Sequence, residues 1–202
     1  IFLLARSWPL IAGIAGLPDL IGWVGAATAI GAAIIAGTRT DLKRILAYST
    51  VSHLGLMAFA LGLGEVGASV FHMITHGFFK AVLFLCAGNI AHGLGQATVS
   101  VSQAGGLAKR MPLTFACFTA AALSLSGVWP FAGFYSKDAI LAAALHAGPA
   151  AAAAGLLVGA LSAFYIFRML FLVFLGPRPR QSGPGPVHEA EAVMAVPVIF
   201  LA

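Results

Sequence analysis

The chain has 202 residues, of which 60% are hydrophobic and only 8% charged, and its mean hydropathy is +0.99. Soluble domains carry about 25% charged residues, so this composition excludes a water-soluble globule and points to an integral membrane protein. The net charge of +5 comes from 11 Lys and Arg against 6 Asp and Glu. These basic residues lie between apolar runs rather than in one patch, so they describe membrane topology and not a nucleic-acid surface.

In chain order, Ile1-Phe2-Leu3-Leu4-Ala5 reads as the last turn of a helix. A first span follows at about 20–37, rich in Gly and Ala, and a second at about 43–63, entered through Lys43-Arg44. That second span carries a polar strip of Tyr48, Ser49, Thr50, Ser52 and His53. The third, about 66–92, holds His72, His76 and Lys80 inside the apolar run Val70 to Ala91. The apolar stretch 112–146 exceeds the roughly 20 residues that one spanning helix needs. It contains Gly127-Val128-Trp129-Pro130-Phe131-Ala132-Gly133, and proline removes a backbone donor and crowds the preceding turn. A broken helix is therefore expected there, of the kind tolerated at membrane depth only in a protein interior or beside a polar cavity. A fifth span covers about 150–175, with Arg168 two turns from its end and able to snorkel. The Pro- and Gly-rich stretch 176–192 is an extramembrane loop, and Val198 to Ala202 starts another helix.

The expected fold is thus all-α: a polytopic transmembrane bundle with about five full spans, one of them broken near Gly127–Gly133. We expect 1–202 to form a single transmembrane domain, truncated at both ends. The loops at 38–44, 94–111 and 176–192 fall on one side and carry Arg39, Lys43, Arg44, Lys109, Arg110, Arg178 and Arg180, against Arg6 on the other. The positive-inside rule makes the first side cytoplasmic.

His72, His76 and Lys80 are spaced i, i+4, i+8. Each four-residue step turns about 400°, a drift of about 40°, so they form one stripe about 12 Å long. Ionisable groups inside a span mark proton or ion pathways. Histidine pairs alone also serve as interhelical glue, but a buried lysine has no cheap structural role. A zinc site built on His72 and His76 lacks an apparent third ligand and would have an ammonium beside it. Lys137-Asp138 follow the break, where Lys137 would face the exposed cavity, with Ser124, Ser126 and Tyr135 as possible hydroxyl partners. His53 and Tyr48 fit either interhelical hydrogen bonding or a place on a proton route, and Lys43 could open an access path. Asp41 and Arg44 sit at the cytoplasmic edge, Glu65 in a solvated turn. His92, His146 and His188 lie near span ends or in loops and receive no role.

Cys86 and Cys117 lie in apolar runs without a CxxC, as small buried hydrophobes, and two cysteines cannot hold an iron–sulfur centre. There is no phosphate loop, dinucleotide fingerprint or nucleophile triad. From its residues alone, the chain handles ions or protons and performs no bond chemistry.

Three segments in order carry a family resemblance. They are Thr40-Asp41-Leu42-Lys43-Arg44-Ile45-Leu46-Ala47-Tyr48-Ser49-Thr50-Val51-Ser52, Phe71-His72-Met73-Ile74-Thr75-His76-Gly77-Phe78-Phe79-Lys80-Ala81, and Gly133-Phe134-Tyr135-Ser136-Lys137-Asp138. With Gly105-Gly106-Leu107 before Pro112 and His188-Glu189 before the last helix, the chain resembles the antiporter-like subunits of respiratory complex I, most of all subunit L of bacterial NADH–quinone oxidoreductase. The resemblance implies redox-driven proton pumping in a bacterial inner membrane, beside a neighbouring antiporter-like subunit. It implies that Lys80 is the family's central lysine, connected to His72 and His76, and that Lys137 is the broken-helix lysine of the exit half-channel. It places a Glu–Lys pair upstream of Ile1 and a lateral helix beyond the last residue. It assigns no cofactor to this chain: NADH, FMN, iron–sulfur clusters and quinone would belong to partner subunits. Multisubunit Na⁺/H⁺ antiporters, and membrane subunits of hydrogenases or inorganic-carbon uptake complexes, share these features.

Overall fold

In the computed structural model, residues 1–177, 189 and 192–201 are described. Two short helices, α1 (Phe2–Arg6) and α2 (Trp8–Ile11), precede α3 (Leu17–Thr38), α4 (Leu42–Gly62) and α5 (Val66–Gly93). Then come α6 (Pro112–Ser126), α7 (Ala132–Ala147), α8 (Pro149–Leu170) with a π-turn at Phe171–Leu175, and α9 (Ala192–Leu201). Among the described residues, α3, α4, α5 and the α8–π-turn segment are each long and apolar enough to cross a membrane. The predicted broken span, 112–146, is the α6–α7 pair, and the break falls where the Gly and Pro cluster placed it. The chain is an all-α membrane bundle.

Glycine sets how close α3 and α4 come. A Cβ on Gly25 would lie 2.5 Å from the Phe59 nitrogen, and one on Gly62 would lie 2.2 Å from Gly22 Cα. Small residues let backbones approach where lipid supplies no hydrophobic force between helices. The Ser52 hydroxyl closes this interface by donating to the Ala29 carbonyl at 2.8 Å.

Loops predicted to share a side do meet. Leu42 N–H donates to the Val99 carbonyl (3.0 Å) and Val101 N–H to Thr40 (2.8 Å). Lys43 Nζ reaches the Ala97 carbonyl at 3.1 Å, and Arg168 Nη1 reaches that of Arg39 at 3.1 Å. Arg168 therefore pins the α8 end to the α3–α4 loop rather than only snorkelling. At α6, Glu189 accepts from Leu113 N–H (2.9 Å) and from the Thr114 hydroxyl (2.5 Å), a carboxylate at a helix N-terminus. Arg178 and Arg180, on which the third basic loop was read, lie outside the described residues, as does His188.

Two apolar clusters organise the interior. One takes Leu42, Ile45 and Leu46 from α4, Phe79 to Ala91 from α5, and Tyr165 to Leu170 from α8. The other takes Leu56, Phe59 and Ala60 from α4, Ala151 to Val158 from α8, and Ile140 and Ala144 from α7. Each helix passes from one cluster to the other through buried polar residues: Ser49, Ser52 and His53 in α4; Ser69, His72, Thr75 and His76 in α5; Ser162 in α8. The apolar packing thus encloses a polar layer part-way along the bundle.

Candidate functional site: a buried lysine and histidine layer

The layer is built across helices. His72, on α5, joins His53 on α4 through a Nε2–Nδ1 contact of 2.9 Å, and its Nδ1 meets the Ser136 hydroxyl of α7 at 2.9 Å. Thr75 donates to Ser136 Oγ at 2.9 Å, and Ser136 reaches the Gly133 carbonyl at 3.3 Å. His76 lies beside both histidines, its ring centroid 5.1 Å from that of His53 and 6.2 Å from that of His72. The Phe79 ring contacts all three imidazoles at 5.4–6.3 Å. His53 Nε2 and His76 Nε2 are buried without a hydrogen-bond partner among the described residues.

This geometry permits two proton orderings. A neutral imidazole has one N–H donor and one bare acceptor. If His72 donates from Nδ1 to Ser136, its Nε2 accepts from His53 Nδ1, and His53 Nε2 is bare. If Ser136 donates to His72 instead, His72 Nε2 donates to His53 Nδ1, and His53 Nε2 carries the hydrogen. Passing from the first to the second takes up one proton at His53 Nε2, shifts one along each of the two hydrogen bonds toward Ser136 and gives up the Ser136 hydroxyl hydrogen on the α7 side; the reverse carries one proton the other way.

The lysines flank this chain. Lys80, only 5% exposed, donates to Ser49 Oγ at 2.7 Å and to the Leu46 carbonyl at 3.1 Å, both on α4. Ser49 Oγ in turn lies 2.6 Å from the Tyr165 hydroxyl of α8. Lys137, in the second turn of α7, donates to Ser162 Oγ at 2.7 Å. Its position follows from the break. Gly127 ends α6 in a left-handed conformation (φ +83°), and its N–H and that of Val128 bond back to Ser124 and Leu123. The start of α7 then seats against the end of α6, with Gly133 N–H donating to Ser124 Oγ at 3.2 Å. A cavity of about 160 Å³ opens beside the break, lined by Ser126, Gly127, Lys137, Asp138, Leu141 and Gly159 among others.

Of the residues singled out from sequence, His53, His72, His76 and Lys80 converge in the buried layer, and Lys137 faces the cavity at its margin. The single stripe down α5 is corrected in one respect: the Lys80 amine turns to α4 and not along its own helix to His76. Asp138 is exposed at the cavity. Tyr48 is half-buried under the Arg39 guanidinium (5.5 Å to the ring centroid), and Lys43 is exposed at the loop end, both away from the histidines. Ser124 caps α7, Ser126 bonds the Leu123 carbonyl of its own helix, and Tyr135 is 49% exposed. Both His72 nitrogens are engaged in hydrogen bonds, and among the described residues no cluster of three His, Cys, Asp or Glu could hold a metal ion. Sequence reading missed Ser136, Ser162 and Tyr165. Ser162 and Tyr165 could have been found as an i, i+3 polar pair on one face of an otherwise apolar helix.

The family model described as NADH:quinone oxidoreductase/Mrp antiporter, transmembrane, matches residues 1–165. NAD(P)H-quinone oxidoreductase chain 5 of Synechocystis is 43% identical over 183 residues, 87% of this chain and 27% of that protein. NADH-quinone oxidoreductase subunit L of Mycobacterium tuberculosis is 44% identical over 210 residues, 100% of this chain and 32% of that one. The chain therefore spans about a third or less of these relatives. A chain of the archaeal membrane-bound sulfane sulfur reductase superposes with TM-score 0.84 at 33% identity, covering 92% of this chain and 31% of its own length. One from the Mrp complex of Dietzia shares the fold with TM-score 0.88 at 24% identity, covering 99% and 46%. By this match over most of its length, the chain belongs to the NADH:quinone oxidoreductase/Mrp antiporter membrane family.

Proposed function

We propose that this chain carries protons through the membrane arm of an NADH:quinone oxidoreductase, as part of its antiporter-like subunit L. The observation that carries the reading is the buried layer: Lys80 and three histidines inside an apolar bundle, with half-buried Lys137 at its margin, on helices that otherwise bury almost nothing ionisable. Charged groups at such depth are expensive and are kept for transport. In this reading residues 1–202 are one transmembrane domain. Lys80 is the central station, His76, His72 and His53 pass the proton, and Lys137 releases it toward the cavity at the α6–α7 break. Asp138 lies at that outlet, while Tyr48 and Lys43 belong to the loop end where access would begin. The neighbours are another antiporter-like subunit and lipid, in a bacterial inner membrane, with loops 38–44, 94–111 and 176–192 cytoplasmic. NADH, FMN, the iron–sulfur clusters and quinone act in partner subunits.

One observation favours a second reading: the matching family takes in the Mrp antiporters as well. Cation exchange driven by an imposed pH gradient, without a redox substrate, would distinguish it. The test of the main reading is NADH-driven proton pumping in vesicles holding the intact complex, with wild type and Lys80→Met compared at matched assembly. Loss of pumping and coupled turnover is expected. Unchanged pumping and turnover would return the layer to interhelical glue.

A further inference from the structure

Tyr165 is fully buried, and its hydroxyl has Ser49 Oγ as partner at 2.6 Å. Ser49 is equally buried and takes the Lys80 amine at 2.7 Å. The second acceptor of that amine, the Leu46 carbonyl at 3.1 Å, already accepts the Thr50 hydroxyl at 3.0 Å. Ser49 is thus the shorter and less shared bond. Charge-assisted bonds of this kind are the strong ones. A serine hydroxyl rotates freely unless a second partner fixes it. Tyr165 fixes this one: whichever of the two oxygens donates, a Ser49 lone pair is left aimed at Lys80.

The dock has a consequence for Lys80 as a proton station. Lys80 and His76 are i and i+4 neighbours on α5, with Cβ atoms about 6 Å apart. His76 Nε2 is buried and has no partner among the described residues, while the amine beside it on the helix points to α4. The four-carbon stem of lysine spans that distance by rotamer change alone.

We infer that Ser49 and Tyr165 are positioning residues for Lys80: their paired hydroxyls hold its amine on α4 and α8, away from the histidines, and its release from that dock brings it to His76 Nε2. The inference rests on the proton-relay reading. In the released position one N–H bond of the ammonium breaks and the same hydrogen forms an N–H bond on His76 Nε2. The positive charge passes from lysine to imidazole, and no other reactant is needed. The docked position separates the two halves of the route and the released one joins them. Lys137 is held in the same manner by Ser162, one turn before Tyr165 on α8, so one helix face serves both amines.

The experiment uses the assembled complex in vesicles and measures protons moved per assembled complex and per electron pair. Tyr165→Phe keeps the ring and removes the hydroxyl. Tyr165→Phe and Ser49→Ala are each expected to lower pumping about tenfold at wild-type assembly, the scale of one charge-assisted bond. The double variant is expected to be no worse than either single one, since both act through one bond to Lys80. Ser49→Thr, which keeps the hydroxyl, is expected to stay within about twofold of wild type. Wild-type pumping in Tyr165→Phe, losses that add in the double variant, or a Ser49→Thr as impaired as Ser49→Ala would each overturn the inference. Lys80→Met separates the two levels. If it abolishes pumping while Tyr165→Phe is normal, the dock alone fails; if it pumps normally, the relay reading fails and the dock with it.

Discussion

Gly133 joins the backbone break to the polar layer, and Gly133→Ala tests that join. A Cβ there would lie 1.8 Å from the Ser124 carbonyl oxygen, where even 3.0 Å is closer than real contacts come. The obstacle is backbone, so no side chain can turn aside. The start of α7 must retreat from α6 by at least 1.2 Å, the gap between those two values. Ser136 and Lys137 are three and four residues further along α7 and move with it. The 2.9 Å His72–Ser136 and 2.7 Å Lys137–Ser162 bonds then stretch past hydrogen-bond range. Overpacking costs about 1–3 kcal/mol, which the bundle can absorb, while a misplacement of about 1 Å in a reacting array costs about a hundredfold in rate. The expected result is a complex that assembles near normally and pumps about a hundredfold more slowly. Gly31→Ala on α3 is the control, since a Cβ there meets nothing within 4 Å. Native-gel quantitation with pumping per assembled complex is the assay. A Gly133→Ala complex that assembles and pumps at wild-type rates would refute the claim that the break positions the layer.

Other substitutions probe separate parts of the same geometry. His53→Leu leaves His72 Nε2 buried without a partner, a cost of about 1–3 kcal/mol. It also cuts the Ser136–His72–His53 chain, so pumping should fall, and it should fall in His53→Gln too, whose amide can bond His72 but cannot pass a proton on; wild-type rates in both would exclude His53 from the route. Gly62→Val, with even a Cβ only 2.2 Å from Gly22 Cα, should lower the amount of assembled complex while leaving pumping per complex intact. Normal assembly would show that α3 and α4 need not touch there. Glu189→Ala removes the acceptor at the α6 N-terminus and should destabilise the subunit by about 1–2 kcal/mol, read as a lower unfolding temperature in detergent. An unchanged temperature would mean the cap contributes nothing.

Much of the architecture was legible because single residues dictate it. Gly127 and Pro130 interrupt a run too long for one span, and the helix stops at Ser126 and resumes at Ala132. The i, i+4, i+8 spacing placed His72, His76 and Lys80 together on α5, and all three are buried. What periodicity cannot give is the partner helix. It fixes where side chains leave one axis, not which neighbour stands there. Lys80 therefore read as a third station in line with His76, although its long stem reaches across to Ser49. His53 reads from sequence as glue or relay, and only the fold shows that α4 and α5 meet where it bonds His72. Ser136 and Ser162 escaped notice because a serine in an apolar helix usually bonds the carbonyl one turn back. Ser162 does bond Gly159 in that way, and accepts Lys137 as well.

The buried polar residues fall into two groups by how their bonds close. Ser52 donates to the Ala29 carbonyl and Ser69 to the Met57 carbonyl, each ending on backbone of the neighbouring helix. Such bonds tie helices together and transmit nothing further, so replacing either serine with alanine should affect assembly more than pumping. Ser49, His53 and His72 bond instead to other side chains that can both give and take hydrogen, and Ser136 joins His72 as well as the Gly133 carbonyl of its own helix. Two ring nitrogens, His53 Nε2 in this set and His76 Nε2 beside it, have no hydrogen-bond partner among the described residues. In a purely structural layer that arrangement is a net cost, because a buried unsatisfied nitrogen destabilises by about 1–3 kcal/mol and an apolar side chain of similar shape would pack there without it. The same open nitrogens are what a proton relay needs, since a chain with every donor and acceptor already closed has no site to receive the next proton.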